Sequence, residues 1–152
     1  PTTVGACTGA VAGLVAITPA AGSTDILGAF AIGIITTIIC FIMVAVIKPK
    51  FKYDDALDAF GVHGMGGIIG SILTGVFATR CVTGEGGAEG ALYGDWHQLW
   101  VQTLTTLVSI GYSIIVTYIL YVLIDKTIGM RVCRRVEEEG LDIYEHGESA
   151  YN

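Results

Sequence analysis

The chain has 152 residues, 53% of them hydrophobic and 14% charged, and its mean hydropathy is +0.67. Soluble domains carry about a quarter charged residues, so this composition excludes an ordinary soluble domain and points to a membrane protein. The formal net charge of −6 comes largely from the tail after Lys126, and no nucleic-acid partner is expected from it.

Four cysteines, Cys7, Cys40, Cys81 and Cys133, have no CxxC spacing and share no loop. They suggest neither a zinc site nor a disulfide framework. The chain opens on Pro1 without a signal-peptide pattern, so a product lacking earlier sequence is expected.

The first predicted span, about residues 4–21, is built from small residues. Gly5, Gly9 and Gly13 recur every four positions, the small-xxx-small spacing that lets helices pack closely in lipid. Pro19 ends or kinks it near Gly22. The second span, about 26–47, is rich in Ile, Phe and Val and has no charged residue, and Lys48, Pro49, Lys50 and Lys52 close it.

The third span, about 57–79, follows three carboxylates, Asp54, Asp55 and Asp58. Asp55 or Asp54 can cap its start, and acidic side chains there suit the helix dipole. Beyond them the only ionisable side chain up to Ala78 is His63. On a helix turning about 100° per residue, His63, Gly67, Gly70, Thr74 and Phe77 fall on one narrow stripe. Glycines on such a stripe allow the close approach of another helix or a small solute. A flexible polar loop is predicted from Arg80 to His97. A fourth span follows, about 98–124, with Trp96, Trp100, Tyr118 and Tyr121 toward its ends as interfacial aromatics.

Lysine and arginine set the expected orientation. The Lys48–Asp55 loop holds three and the segment Lys126–Arg135 four, whereas the Ser23–Asp25 turn holds none and the Arg80–His97 loop one. The first two are therefore expected to be cytoplasmic. The predicted organisation is a transmembrane region, residues 1–128, followed by a polar tail, residues 129–152. On charge alone the tail reads as a solvated extension.

A lone histidine can be a packing residue bonded to a neighbouring helix. Inside a bilayer, the cost of burying it favours a functional role for His63. His97 reads as an interfacial residue and His146 as a solvated or contact residue of the tail. No second ligand completes a metal triad and no nucleophile stands with a base, so neither an enzyme nor a cofactor is expected.

The run Asp54-Asp55-Ala56-Leu57-Asp58-Ala59-Phe60-Gly61-Val62-His63-Gly64, with Thr74-Gly75-Val76-Phe77-Ala78 after it, resembles the signature of the ammonium transporter (Amt/Mep/Rh) family. Gly13-Leu14-Val15-Ala16-Ile17-Thr18-Pro19-Ala20-Ala21-Gly22 and Glu139-Gly140-Leu141-Asp142…His146-Gly147-Glu148…Ala150-Tyr151 agree with it. The resemblance implies an all-α, polytopic transmembrane helical bundle, the last four helices of an eleven-helix inverted-repeat fold. It also implies a homotrimer in the cell membrane (plasma or bacterial inner), each subunit with its own hydrophobic pore.

In that family two histidines face each other in mid-pore, and His63 matches the second. Thr18 matches a residue near the pore, Val11 and Ala59 fall at plausible lining positions, and Asp58 is expected to hold the helix entrance. The tail, with Gly140, Leu141, Asp142, His146, Gly147 and Glu148, resembles the family's regulatory C-terminus. In bacterial members that segment helps form the site for PII-type signal proteins. Tyr144 stands where plant relatives carry a phosphorylatable Thr. The implied function is transport of ammonium as neutral ammonia past the histidines. The family's first pore histidine, phenylalanine gate and recruitment site have no counterpart here, so a C-terminal portion of a longer transporter is expected. The alternatives are a non-conducting ammonium sensor and a half-protein interaction subunit on the same scaffold.

Overall fold

The computed structural model describes residues 2–149, and Ala150 and Tyr151 of the tail motif lie outside the described residues. The described chain is helical: α1 (Thr3–Ile17), α2 (Ile26–Ile42), α3 (Lys48–Phe51), α4 (Met65–Phe77), α5 (Arg80–Thr83), α6 (Trp96–Thr127) and α7 (Arg134–Glu139). Wider π segments occupy Met43–Ile47, Ala59–Gly64 and Asp142–His146, and 3-10 turns occupy Thr18–Ala20 and Ala91–Tyr93. Among the described residues, four helical stretches are long and apolar enough to cross a membrane: Thr3–Ala20, Ile26–Phe51, Ala59–Phe77 and Trp96–Thr127. They overlap the four predicted spans, the second running on to Phe51 past the lysines expected to close it at Ile47, and make a multi-pass membrane architecture. The last is longer than predicted, and its 32 residues exceed what a core about 30 Å thick needs.

In lipid every backbone polar group must be satisfied within its own segment, which forces even Ile- and Val-rich runs into helix. Side-chain caps start α1 and α2. The Thr2 hydroxyl accepts from the Gly5 amide at 3.0 Å and the Asp25 carboxylate from the Gly28 amide at 2.8 Å. Threonines inside the spans return their hydroxyls to the carbonyl four residues back, as Thr8 does to Val4 and Thr74 to Gly70. A polar side chain is thereby satisfied without a neighbour.

By packing, the chain forms two compact units, one up to Val108 and one from Ser109. In the first, α1, α2 and α4 meet along a seam of small residues. Ala12, Ala16 and Ala20 on the α1 side are buried, as are Gly66, Gly70 and Thr74 on α4 and Ile32, Thr36 and Cys40 on α2. The seam is tightest at Gly70, where a Cβ would stand 2.2 Å from the Ala16 carbonyl oxygen. The alanines make this contact, not the glycines predicted to do so. A Cβ at Gly9 would meet nothing within 4 Å, and one at Gly13 only the Thr37 hydroxyl at 3.9 Å. Gly13 is one residue past Ala12, about 100° around the helix, so the two small-residue series face different ways.

At the end of the unit near Ser23, Thr24 and Ala78 pair as an isolated antiparallel bridge. The Thr79 amide donates to the Ser23 carbonyl at 2.8 Å and the Thr24 hydroxyl to the Phe77 carbonyl at 3.1 Å. The loop predicted to be flexible is tied down there as well. The Gly90 amide donates to the Ala78 carbonyl at 2.8 Å, and Arg80 pairs with Glu89 at 3.3 Å.

The second unit contains α7, which charge alone did not predict. Arg134 pairs with Glu138 and Arg135 with Glu139 one turn on, at 2.7 and 3.7 Å, and such i,i+4 pairs support an exposed helix. Arg131 grips Glu137 through both carboxylate oxygens, at 2.5 and 2.9 Å, and the Tyr144 hydroxyl donates to Glu139. Gly140 (φ 110°) ends α7 and Gly147 (φ 67°) ends the π segment that follows, conformations that L side chains resist.

The hydrogen bonds from Arg131 hold the Glu137 carboxyl below its ordinary value. Because the folded pKa is depressed, the pair's contribution is present above the ordinary carboxylate value and is lost as pH falls through the folded one. A carbon-13 titration of the Glu137 carboxyl is expected to give a midpoint below about 4.3. Arg131→Ala is expected to raise it toward the ordinary value, with Arg134 still holding it down in part.

Candidate functional site

The approach to His63 is a loop followed by a π turn. Asp58 adopts the left-handed conformation (φ 55°, ψ 31°), and the π segment Ala59–Gly64 follows and carries His63. The Asp55 carboxylate accepts from the amides of Ala59, Phe60 and Gly61 at 2.8, 3.0 and 3.2 Å. It satisfies the orphan donors at the helix start, a role that Asp54 does not take in these contacts. Lys48, the first residue of α3, reaches across with its ammonium to Asp58 Oδ1 at 2.5 Å and to the Asp55 carbonyl at 2.6 Å. Tyr53 meets Phe60 edge to face with ring centroids 5.9 Å apart. A Cβ at Gly61 would stand 2.8 Å from Val44 of the neighbouring π segment.

This turn changes where His63 points. The predicted stripe splits in two. Gly70 and Thr74 are buried in the seam, whereas His63 is exposed and a Cβ at Gly67 would meet nothing within 4 Å. A π segment bonds i to i+5 and winds more slowly than an α-helix, so residues before Met65 fall out of α register. Val62 takes the buried place and His63 turns away from it.

His63 instead lines a cavity of about 320 Å³ with Cys7, Thr8 and Val11 of α1, Leu57 of the loop and Val62. Two of the residues predicted to line a pore, His63 and Val11, therefore meet. The other two do not join them. Thr18 is exposed in the 3-10 turn after α1 with its hydroxyl bonded to the Leu14 carbonyl at 2.7 Å, and Ala59 is exposed at the start of the π segment. A larger groove of about 600 Å³ runs between α1 and α2, lined by Gly5, Gly9, Ala12, Thr37, Cys40 and Phe41 with Asp58 at its edge. It lacks the imidazole. The smaller cavity is the candidate site because a titratable group that can both donate and accept faces it from an otherwise apolar span.

Thr8 was not singled out in the sequence, and Cys7 and Leu57 entered there only as a cysteine without a metal or disulfide pattern and as the start of a span, because small and aliphatic residues in apolar runs carry no chemical signal. Lys48 was read only as a flanking lysine. Among the described residues no group of three His, Cys, Asp or Glu side chains could hold a metal ion. The tail residues lie in the second unit. There Asp142 opens the π segment, His146 ends it, Leu141 precedes it, and the Glu148 amide donates to the Asp142 carbonyl at 3.0 Å.

Residues 1–151 match the Ammonium Transporter Family. The chain belongs to that family. It is 49% identical over 152 residues to an ammonium transporter of Aquifex aeolicus, covering 100% of this chain and 35% of the relative. It is 46% identical over 151 residues to one of Bacillus subtilis, covering 99% and 37%. The chain thus spans about a third of the length of these ammonium transporters. In structure it resembles Saccharomyces cerevisiae Mep2 with a TM-score of 0.80 and 35% identity, over 88% of this chain and 31% of that one. The family match extends over the residues that line the cavity.

Proposed function

We propose that this chain supplies one wall of the conduction pathway of an ammonium transporter, with His63 as the pore group. The observation that carries the reading is the exposure of His63 to the cavity shared with Val11. An ionisable residue in a membrane span is expected to face a pathway and not lipid. Desolvating a bare ammonium ion in an apolar passage is costly, so the pathway carries neutral ammonia after deprotonation at the mouth. The imidazole hands on a proton or a hydrogen bond. Thr18 and Ala59 belong to this reading as flanking positions, and Asp54, Asp55 and Asp58 as the structural entrance to the helix.

The lysine distribution supports a cytoplasmic Lys48 end and a cytoplasmic tail. The coverage of about a third of the relatives' length supports a C-terminal portion of a longer subunit, assembled as a trimer in the cell membrane. The tail, residues 129–152, with its Gly140-, Gly147- and Tyr144-centred turns, is the proposed regulatory segment and a docking region for a PII-type signal protein. The complete protein, reconstituted in liposomes, is expected to give a transient current or an internal pH change on an ammonium pulse. Silence in both, with ammonium still bound, would replace transport by a sensor on the same scaffold.

A further inference from the structure

We propose that Lys48 and Asp58 form a latch that sets the direction of His63, which makes Lys48 a positioning residue for the pore. The inference rests on the pore reading of His63 and adds how the imidazole reaches the cavity. In an uninterrupted α-helix His63 would share the stripe of Gly70 and Thr74, and that stripe is the buried seam against Ala16. It escapes the seam because of the π segment Ala59–Gly64.

That segment begins at Asp58 in a left-handed conformation, which aspartate tolerates better than most non-glycine residues but which still costs energy that its surroundings must offset. The holding group is the Lys48 ammonium, bonded to both the Asp58 carboxylate and the Asp55 carbonyl. Asp55 in turn caps the π turn. The Lys48 and Asp58 side chains are both about three-quarters buried, with relative exposures of 28% and 25%, so bulk water screens this pair less than a surface pair. Lys48 directly follows the π segment Met43–Ile47 of the neighbouring span, and Val44 of that segment fills the place of a Gly61 Cβ. The direction of His63 is thus set by Lys48 of a second transmembrane span, fifteen residues back in the chain, and not by its own helix.

The test uses the complete transporter in liposomes, with maximal ammonium current normalised to inserted protein, the half-saturating concentration, and the pH profile. Lys48→Met is expected to lower the maximal current about ten-fold or more with the half-saturating concentration changed less than about two-fold, and to displace the pH profile. Lys48→Arg, which can still pair with Asp58, is expected to keep at least about half the current. Asp58→Asn gives a second variant should Lys48→Met fail to insert. Asn tolerates the left-handed conformation but loses the charge, and the current is expected to fall about three-fold or more.

Wild-type current and pH profile in Lys48→Met, or in Asp58→Asn where that variant is used, overturn the latch. Equal loss in Lys48→Met and Lys48→Arg also overturns it. His63→Ala is measured alongside. If it conducts like wild type, the pore reading fails. If it is silent while Lys48→Met conducts normally, the latch alone fails.

Discussion

His63→Ala in the complete transporter is expected to lower ammonium-driven current by about ten-fold or more, equivalent to about 1.4 kcal/mol of barrier or above, while the elution position of the protein in detergent is unchanged. Two observations set the size and the sparing of assembly. His63 is exposed and lines the cavity, while the buried seam is made by Ala12, Ala16, Gly66, Gly70 and Thr74, so truncating it removes no buried side chain from the packed core. What is lost is the one polar group of the site able to donate at one nitrogen and accept at the other. A hydrogen bond to a charged or charge-developing partner contributes about 1.5–3 kcal/mol, enough to exceed a ten-fold effect. Glutamine in its place keeps a donor and an acceptor but cannot titrate. His63→Gln is therefore expected to fall between wild type and alanine, with a flattened pH profile. Unchanged current and pH profile in His63→Ala would leave the residue without a conduction role.

Gly70→Val is expected to prevent accumulation of folded protein, and Gly70→Ala to lower stability by about 1–3 kcal/mol or more. A Cβ at this position lies 2.2 Å from the Ala16 carbonyl oxygen, with the Ala16 backbone carbon at 3.0 Å. These are main-chain atoms and cannot rotate aside, so α1 and α4 would have to separate by about an ångström. In a close-packed interior that also loosens the neighbouring contacts. Gly67 on the same helix is the control. No atom lies within 4 Å of its would-be Cβ, and alanine favours helix by about 1 kcal/mol over glycine. Gly67→Ala is expected to leave thermal stability in detergent unchanged or raise it. Equal loss at both positions would mean that propensity and not close approach governs the pair.

The contrast between Gly67 and Gly70 also marks what sequence patterning leaves out. A period of about 100° per residue assigns both glycines and His63 to one face. The backbone keeps that period only from Met65 onward, which takes His63 off the face of Gly70, while Gly67, on the same regular helix, stands one residue past the buried Gly66 at the edge of that face. The same limit applies on α1, where glycine spacing and alanine spacing both satisfy the small-residue pattern and only packing chooses the alanines. In the tail, the glutamate run reads as solvated because charge counts ignore the arginines one turn away that pair with it.

The four spans, their polar boundaries, the lysine asymmetry, the isolation of His63 within an apolar run and the family signature were all legible in the sequence by itself. Each depends on local composition and on the rule that a chain in lipid satisfies its own backbone. Three features were decided only by the tertiary structure: the direction of His63, its meeting with Val11, and the part played by Lys48. A left-handed Asp58 and the π turn after it are costly in an isolated segment. They persist because Lys48 and Val44 of another span hold them. That stabilisation exists only once the two spans have packed together.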